Sequence, residues 1–214
     1  PAATEAPTLR LGLQSPGQLR NLRWEAHARV PPGDDELEIE VHATGLNFRD
    51  VMYALGLLSD AAVENGFAGP SLGLEFAGIV TGAGSRVHGL APGDRVFGFG
   101  PGSFSNRVVT KAGRVSLIPA DTTFEAATTI PSAFVTVHYA LNHLARLQEG
   151  EKILIHGGAG GVGIAAIQFA KWQGAEIFAT AGSDEKRDFL RLLGVDHVLD
   201  SRSLAFADEI LAIT

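Results

Sequence analysis

"KILIHGGAGGVGIAAIQFAKWQGAEIFATAGSDEKRDFL", Lys152 to Leu190, decides the fold. An apolar strand, Ile153 to Ile155, runs directly into Gly158, Gly160 and Gly163 at G-x-G-x-x-G spacing, and these open a helical run from Ile164 to Trp172. Glycines there allow a tight turn, let backbone N–H groups approach a pyrophosphate with no Cβ in the way, and leave that pyrophosphate at a helix N-terminus. The stretch therefore reads as a dinucleotide-binding βαβ unit, the plainer alternative being an ordinary glycine-rich βα turn. Gly174 fits the C′ position of the first helix. Ser183 is a good N-cap for the next, with Asp184 and Glu185 favouring its positive end. Gly194 closes that helix, "VDHVLD" follows as a third strand, and "SLAFADEILAIT" begins another helix.

A doubly wound sheet in the order 3-2-1-4-5-6 has strand 1 in its middle, and this chain supplies strands 1, 2 and 3. Strand 1, apolar in "ILI" and suited to burial on both faces, would keep one edge unpaired. The expectation is a fragment whose other half-sheet lies elsewhere. Upstream, "PSAFVTVHYALNHLARLQEG" predicts an amphipathic helix closed by Gly150. Further back, short strands and turn signals dominate up to about Pro119, the pattern of a compact β-barrel-like domain. Leu9–Leu13 and Leu22–Ala28 read as two strands around "SPGQ". In "ELEIEVHA", Leu37, Ile39 and Val41 alternate with Glu36, Glu38, Glu40 and His42, which predicts a strand with one wet face. "TGLNFRDVMYALGLL" enters a short helix that gathers Asn47, Arg49, Asp50 and Tyr53. A Gly- and Ala-rich loop follows, then the strand "SLGLEFAGIV", whose Glu75 needs a partner in apolar surroundings. Arg49 and Arg95 are the expected ones.

The 214 residues are 45% hydrophobic and 19% charged, ordinary globular composition, and suffice for one large domain or two small ones. A net charge of −7 argues against nucleic acid or an anionic membrane as a general partner, because phosphate contact needs clustered Lys and Arg. The absence of cysteine removes disulfides and thiolate zinc sites together and is compatible with a reducing cytoplasm. The low-charge stretch Ile153–Ala170 is broken by His156, Gln168 and the glycines, so it reads as a buried unit rather than a membrane span. "PAATEAPTL" has a linker's composition.

NAD sites usually place Asp or Glu at the end of the second strand, where it binds the ribose 2′-OH. Here Ala181 stands at that place, followed by Ser183, Lys186 and Arg187, which leaves room and positive charge for a 2′-phosphate and favours NADPH. Asp184 and Glu185 weaken the charge argument. The segments "HATGLNFRDVMYALG", "LGLEFAGIV", "GDRVFGF" and the opening stretch together resemble the enoyl reductase domain of modular polyketide synthases and animal-type fatty acid synthases, within the medium-chain dehydrogenase/reductase superfamily. The resemblance implies an α/β chain: a linker at 1–8, a GroES-like, β-barrel-type substrate domain at 9–125, and the N-terminal half of a Rossmann domain at 126–214. Zinc alcohol dehydrogenases of the same superfamily have Cys at the place of Asn47 and His at that of Leu74, so the zinc-free branch is implied.

That family resemblance further implies that NADPH gives a hydride to the β-carbon of a 2-enoyl thioester carried by an acyl carrier protein. Neighbouring synthase domains in the same polypeptide are implied partners, and a homodimer through the parent synthase is an open alternative. Asn47 would lie beside the nicotinamide and substrate, and Thr136 at the nicotinamide end. Gly158, Ala159, Gly160, Gly161, Val162 and Gly163 would take the pyrophosphate, and Ser183, Lys186 and Arg202 the 2′-phosphate. The proton donor is not implied: some family members carry Tyr where Leu58 stands, Tyr53 and Tyr139 read as packed aromatics, and the family's Lys and Asp candidates belong to the later half of the domain. His156 is expected to shape the cofactor loop. Two alternatives stay open, a freestanding NADPH:quinone oxidoreductase of the same branch and an inert NADPH-binding or scaffold domain.

Overall fold

A computed structural model describes residues 7–214, which fall into two compact units, the first running through Ser132 and the second Ala133–Thr214. Of the expected linker at 1–8, residues 1–6 lie outside the described residues, and Thr8 already belongs to a strand. In the first unit β1 (Thr8–Leu13) pairs antiparallel with β2 (Leu22–His27), joined through the expected turn. β3 (Glu36–Thr44) follows, then α1 (Phe48–Ala54) and α2 (Asp60–Glu64). β4 (Glu75–Ala83), β5 (Arg95–Phe99), β6 (Arg107–Lys111) and β7 (Val115–Leu117) complete an antiparallel sheet of order β6-β3-β4-β5-β7. Leu37, Ile39, Phe76, Val80, Val96 and Val108 form its core. Burying side chains of this size contributes about 1.5–3 kcal/mol each.

Three sequence expectations need correction here. The wet face of β3 is not wet at Glu38, which is 1% exposed. β3 lies between β4 and β6, and Arg29 reaches the carboxylate with Nε and Nη2, each at 2.6 Å, while Thr81 Oγ1 donates at 2.7 Å. A bidentate guanidinium with a hydroxyl satisfies a carboxylate away from water. The Gly- and Ala-rich stretch after α1 contains α2, capped by Ser59, whose Oγ accepts from Ala62 N–H. The pattern also hid β7 and α3 (Phe124–Ala127).

α4 (Pro131–Val137) continues as a π-helical run, His138–Leu144, and helix ends there rather than at Gly150. Arg146 then takes a positive φ of 55°, which the helix cannot continue through. Tyr139, expected to pack, is 57% exposed and stacks on the His143 ring at 5.2 Å.

The second unit is a βαβαβα succession: β8 (Lys152–Ile155), α5 (Gly161–Gln173), β9 (Glu176–Ala181), α6 (Asp184–Leu192), β10 (His197–Asp200) and α7 (Ala205–Ile213). The strands are parallel in the order β10-β9-β8, so among the described residues β8 pairs with β9 alone. Ala165, Ala166 and Ala170 on α5 are buried with Ile167, Ile177, Ala179 and Leu190, small residues that let the helix lie close to the sheet. No helix is long and apolar enough to cross a membrane among the described residues.

Candidate active site

The glycine loop leaves β8 at Ile155. His156 Nδ1 lies 3.1 Å from Thr180 Oγ1 on β9, and Gly158 N–H donates to Thr180 O at 3.0 Å, so two contacts pin the loop to the neighbouring strand. Gly157 takes φ +63°, a left-handed conformation that favours glycine, and its carbonyl accepts from Gly160 N–H at 2.9 Å to close the turn. α5 opens at Gly161, a turn earlier than the apolar run suggested, because Gly160 serves as N-cap. Ile164 N–H makes the first full helical bond, to Gly160 O at 2.8 Å. The N–H groups of Gly161, Val162 and Gly163 precede it and have no partner within the helix ladder.

The third glycine of the motif is sterically required. A Cβ on Gly163 would lie 2.6 Å from both Gly157 O and Gly158 O, and one on Gly158 would meet Ala179 Cβ at 3.0 Å. At Gly161 a Cβ meets nothing within 4 Å. A loop pared to bare backbone, ending at first-turn N–H groups of a 13-residue helix, fits a dinucleotide pyrophosphate. Ala159 packs on the core beneath it and Val162 is exposed. Gly157, whose positive φ makes the turn, is a residue the spacing argument passed over; the doubled glycine of "HGG" was its signal.

β9 ends at buried Ala181, and two of the residues expected at a 2′-phosphate flank the next position. Arg202 Nε donates to Gly182 O at 3.4 Å, and Ser183 caps α6, its Oγ accepting from Lys186 N–H at 3.4 Å. Lys186 is exposed, and its side chain has no hydrogen bond or ion pair to another of the described residues. Arg187 is different. It turns inward to Ala181 O (3.1 Å), Asp184 Oδ1 (2.5 Å) and Asp200 Oδ1 (3.2 Å), so it ties β9 to β10 instead of adding free positive charge. Glu185's own N–H and then the Ser183 hydroxyl hold its carboxyl below the ordinary value.

Asn47 and Thr136 lie in different units: Asn47 in the first, Thr136 exposed on α4 in the second. Asn47 sits at the N-cap of α1. Its N–H donates to Asp50 Oδ2 at 3.0 Å, and Asp50 Oδ1 accepts from Gly73 N–H at 2.9 Å. Arg49, as the short helix predicted, joins this group: its guanidinium lies 4.9 Å from the centre of the Tyr53 ring and donates to the carbonyls of Ser71 and Gly69.

The expected salt bridge of Glu75 with Arg49 or Arg95 is absent. Arg49 is engaged as described, and Arg95 donates to Thr122 O and stacks over Phe124. Glu75, 5% exposed, instead accepts from Asn47 Nδ2 on Oε1 and from Ser132 N–H on Oε2, both at 2.7 Å. Its carbonyl accepts from the hydroxyls of Thr44 (2.8 Å) and Ser103 (2.9 Å). A zinc ion does not fit this donor set. Asn47 offers an amide already committed to Glu75, Leu74 offers no donor, and no group of three His, Cys, Asp or Glu able to hold a metal occurs among the described residues. Leu58 packs with Tyr53, Ala54 and Leu72 beside a cavity of about 460 Å³.

Residues 33–120 match the alcohol dehydrogenase GroES-like domain, and residues 161–214 match the zinc-binding dehydrogenase family. The chain belongs to the medium-chain dehydrogenase/reductase superfamily. It is 41% identical over 203 residues, 94% of its length, to a mycocerosic acid synthase-like polyketide synthase of Mycobacterium tuberculosis, and spans 9% of that relative. The CurK enoyl reductase structure superposes with a TM-score of 0.91 at 42% identity, covering 97% of this chain and 64% of that one. Within the superfamily, then, the chain is homologous to the enoyl reductase domains of polyketide synthases. The Escherichia coli quinone oxidoreductase complexed with NADPH is more distant, with a TM-score of 0.82 at 30% identity, 96% of this chain and 62% of that one.

Proposed function

We propose that the chain is part of an enoyl reductase of a polyketide or fatty acid synthase, acting on a 2-enoyl thioester carried by an acyl carrier protein. The observation that carries this reading is the 42% identity to the CurK enoyl reductase over 97% of the chain, against 30% to the quinone reductase. NADPH, when bound, supplies the hydride. Gly158 to Gly163 receive its pyrophosphate on bare backbone and the first-turn N–H groups of α5. Ser183, Lys186 and Arg202 take the 2′-phosphate, with Ala181 leaving the place of the usual acid free; Glu185 must give up the Ser183 hydroxyl to admit it. Thr136 serves the nicotinamide end. Asn47 positions the substrate in the domain at 9–125, and the domain at 126–214 holds the nucleotide. A carbonyl oxygen that gains negative charge is stabilised by fixed N–H donors, and the Asn47 amide is one such donor. The protein works in the cytoplasm beside the other domains of its synthase.

The second reading is a quinone reductase, supported by the likeness to the NADPH-complexed quinone oxidoreductase, at a TM-score of 0.82 and 30% identity. NADPH oxidation by the full-length protein with a 2-enoyl thioester and with a quinone separates the two. Turnover of the thioester is expected. Inertness toward it beside quinone turnover would overturn the proposal.

A further inference from the structure

Glu75 binds two hydrogen-bond donors, and that asymmetry has chemical content. An ionised carboxylate accepts only, so it fixes the nitrogen end of the Asn47 amide toward itself, at 2.7 Å, and holds Ser132 N–H with its other oxygen. Gly45 makes room for it: a Cβ there would lie 2.4 Å from Glu75 Oε1. The carboxylate is buried, its backbone carbonyl is anchored by Thr44 and Ser103, and the hydroxyls of those two residues lie 3.0 Å apart. Both carboxylate oxygens of Glu75 are thus engaged, and the second hydrogen on Asn47 Nδ2 is accepted by no described residue.

We infer that Glu75 is a positioning residue that locks the Asn47 amide nitrogen in place so that its remaining N–H is presented as a donor to a carbonyl oxygen of the substrate. This rests on the enoyl reductase reading for the identity of that oxygen, but the lock itself is a property of the first unit alone. Glutamine cannot replace Glu75, since it has one oxygen for two donors and must turn its own NH2 against Asn47 or Ser132. Aspartate at position 47 beside Glu75 would set two carboxylates face to face. The exchange of both, Asn47→Asp with Glu75→Gln, restores both hydrogen bonds, the one between positions 47 and 75 with its polarity reversed and Ser132 N–H still donating to the side-chain oxygen at 75, while removing the N–H that Asn47 offers.

The test is this double-mutant cycle in the full-length protein, read by thermal stability and by NADPH oxidation with a 2-enoyl thioester. Glu75→Gln is expected to lower kcat by about tenfold or more with the KM for NADPH unchanged, as for a weakened oxyanion donor. A carboxylate that only supports the fold would lower Tm and leave kcat, measured well below Tm, intact; that result overturns the inference. The double variant is expected to recover the Tm lost by each single one and to remain slow, because the carboxylate placed at position 47 has nothing to donate. Additive losses of Tm, with no coupling, would overturn the lock whatever the activity. Coupling in a protein inert toward the thioester would support the lock and count against the enoyl reading instead.

Discussion

Two glycines in the first turn of α5, separated by one residue, face opposite fates on gaining a methyl group. Gly163→Ala drives a Cβ to 2.6 Å from two backbone carbonyl oxygens, which cannot swing aside as a side chain would. It is expected to cost about 2 kcal/mol or more of stability and to weaken nucleotide binding. Gly161→Ala, opening into free space, should stay within about 0.5 kcal/mol of the parent. Thermal unfolding and nucleotide titration of both variants check the contrast; equal losses would refute the steric account. At the other end of the nucleotide, Lys186→Ala should weaken NADPH binding about tenfold and leave NADH unchanged, since it removes an unpaired ammonium whose charge only a 2′-phosphate would use. The motif was readable because close backbone approach is a local demand that only glycine meets. The Asn47–Glu75 bond, 28 positions apart, was not, because nothing in either neighbourhood records which donor a buried carboxylate will find. Arg187 misled for a related reason: its charge was visible, and so was Asp184 three residues before it on α6, but Asp200, the second aspartate that consumes it, became a neighbour only when β9 and β10 paired.

At the scale of the element, β3 shows how far alternation carries. The period of two identified the strand and the apolar face at Leu37 and Ile39 correctly. It assumed that the other face meets water, which fails at Glu38, where the register shifts against β4 and Arg29 and Thr81 close over the carboxylate. The Arg29 guanidinium holds Glu38's carboxyl below its ordinary value of 4.5. The folded state therefore favours the charged form. The pair contributes fully above about pH 4.5, and that contribution disappears as pH falls through the lower, folded-state value. Tm is accordingly expected to fall on acidification below pH 4.5, and Glu38→Gln to flatten that part of the curve. Arg29→Ala at neutral pH strands a buried charge and should cost about 2 kcal/mol, the modest end for such pairs because Arg29 is 31% exposed. The helix before β8 was legible as a helix but not in length, since its π-helical end and the positive φ of Arg146 leave no mark in an apolar pattern.

For the molecule as a whole, the sequence distinguished a strand-rich first part from a βαβ second part because the two hydrophobic periods differ, and the sheets follow that division. Their strand order β10-β9-β8 leaves one edge of β8 without a partner among the described residues. That edge faces a groove of about 680 Å³ lined by Leu141, Leu147, Ile153 and Leu154, the last 40% exposed. Unpaired N–H and C=O groups on an apolar strand invite another chain to add to them. Residues 1–214 produced by themselves should accordingly self-associate at micromolar concentration through "KILI", and a single Leu154→Lys should raise their solubility without disturbing nucleotide binding. Whoever purifies this piece of chain will meet the sheet edge first as a precipitate, before its chemistry can be assayed.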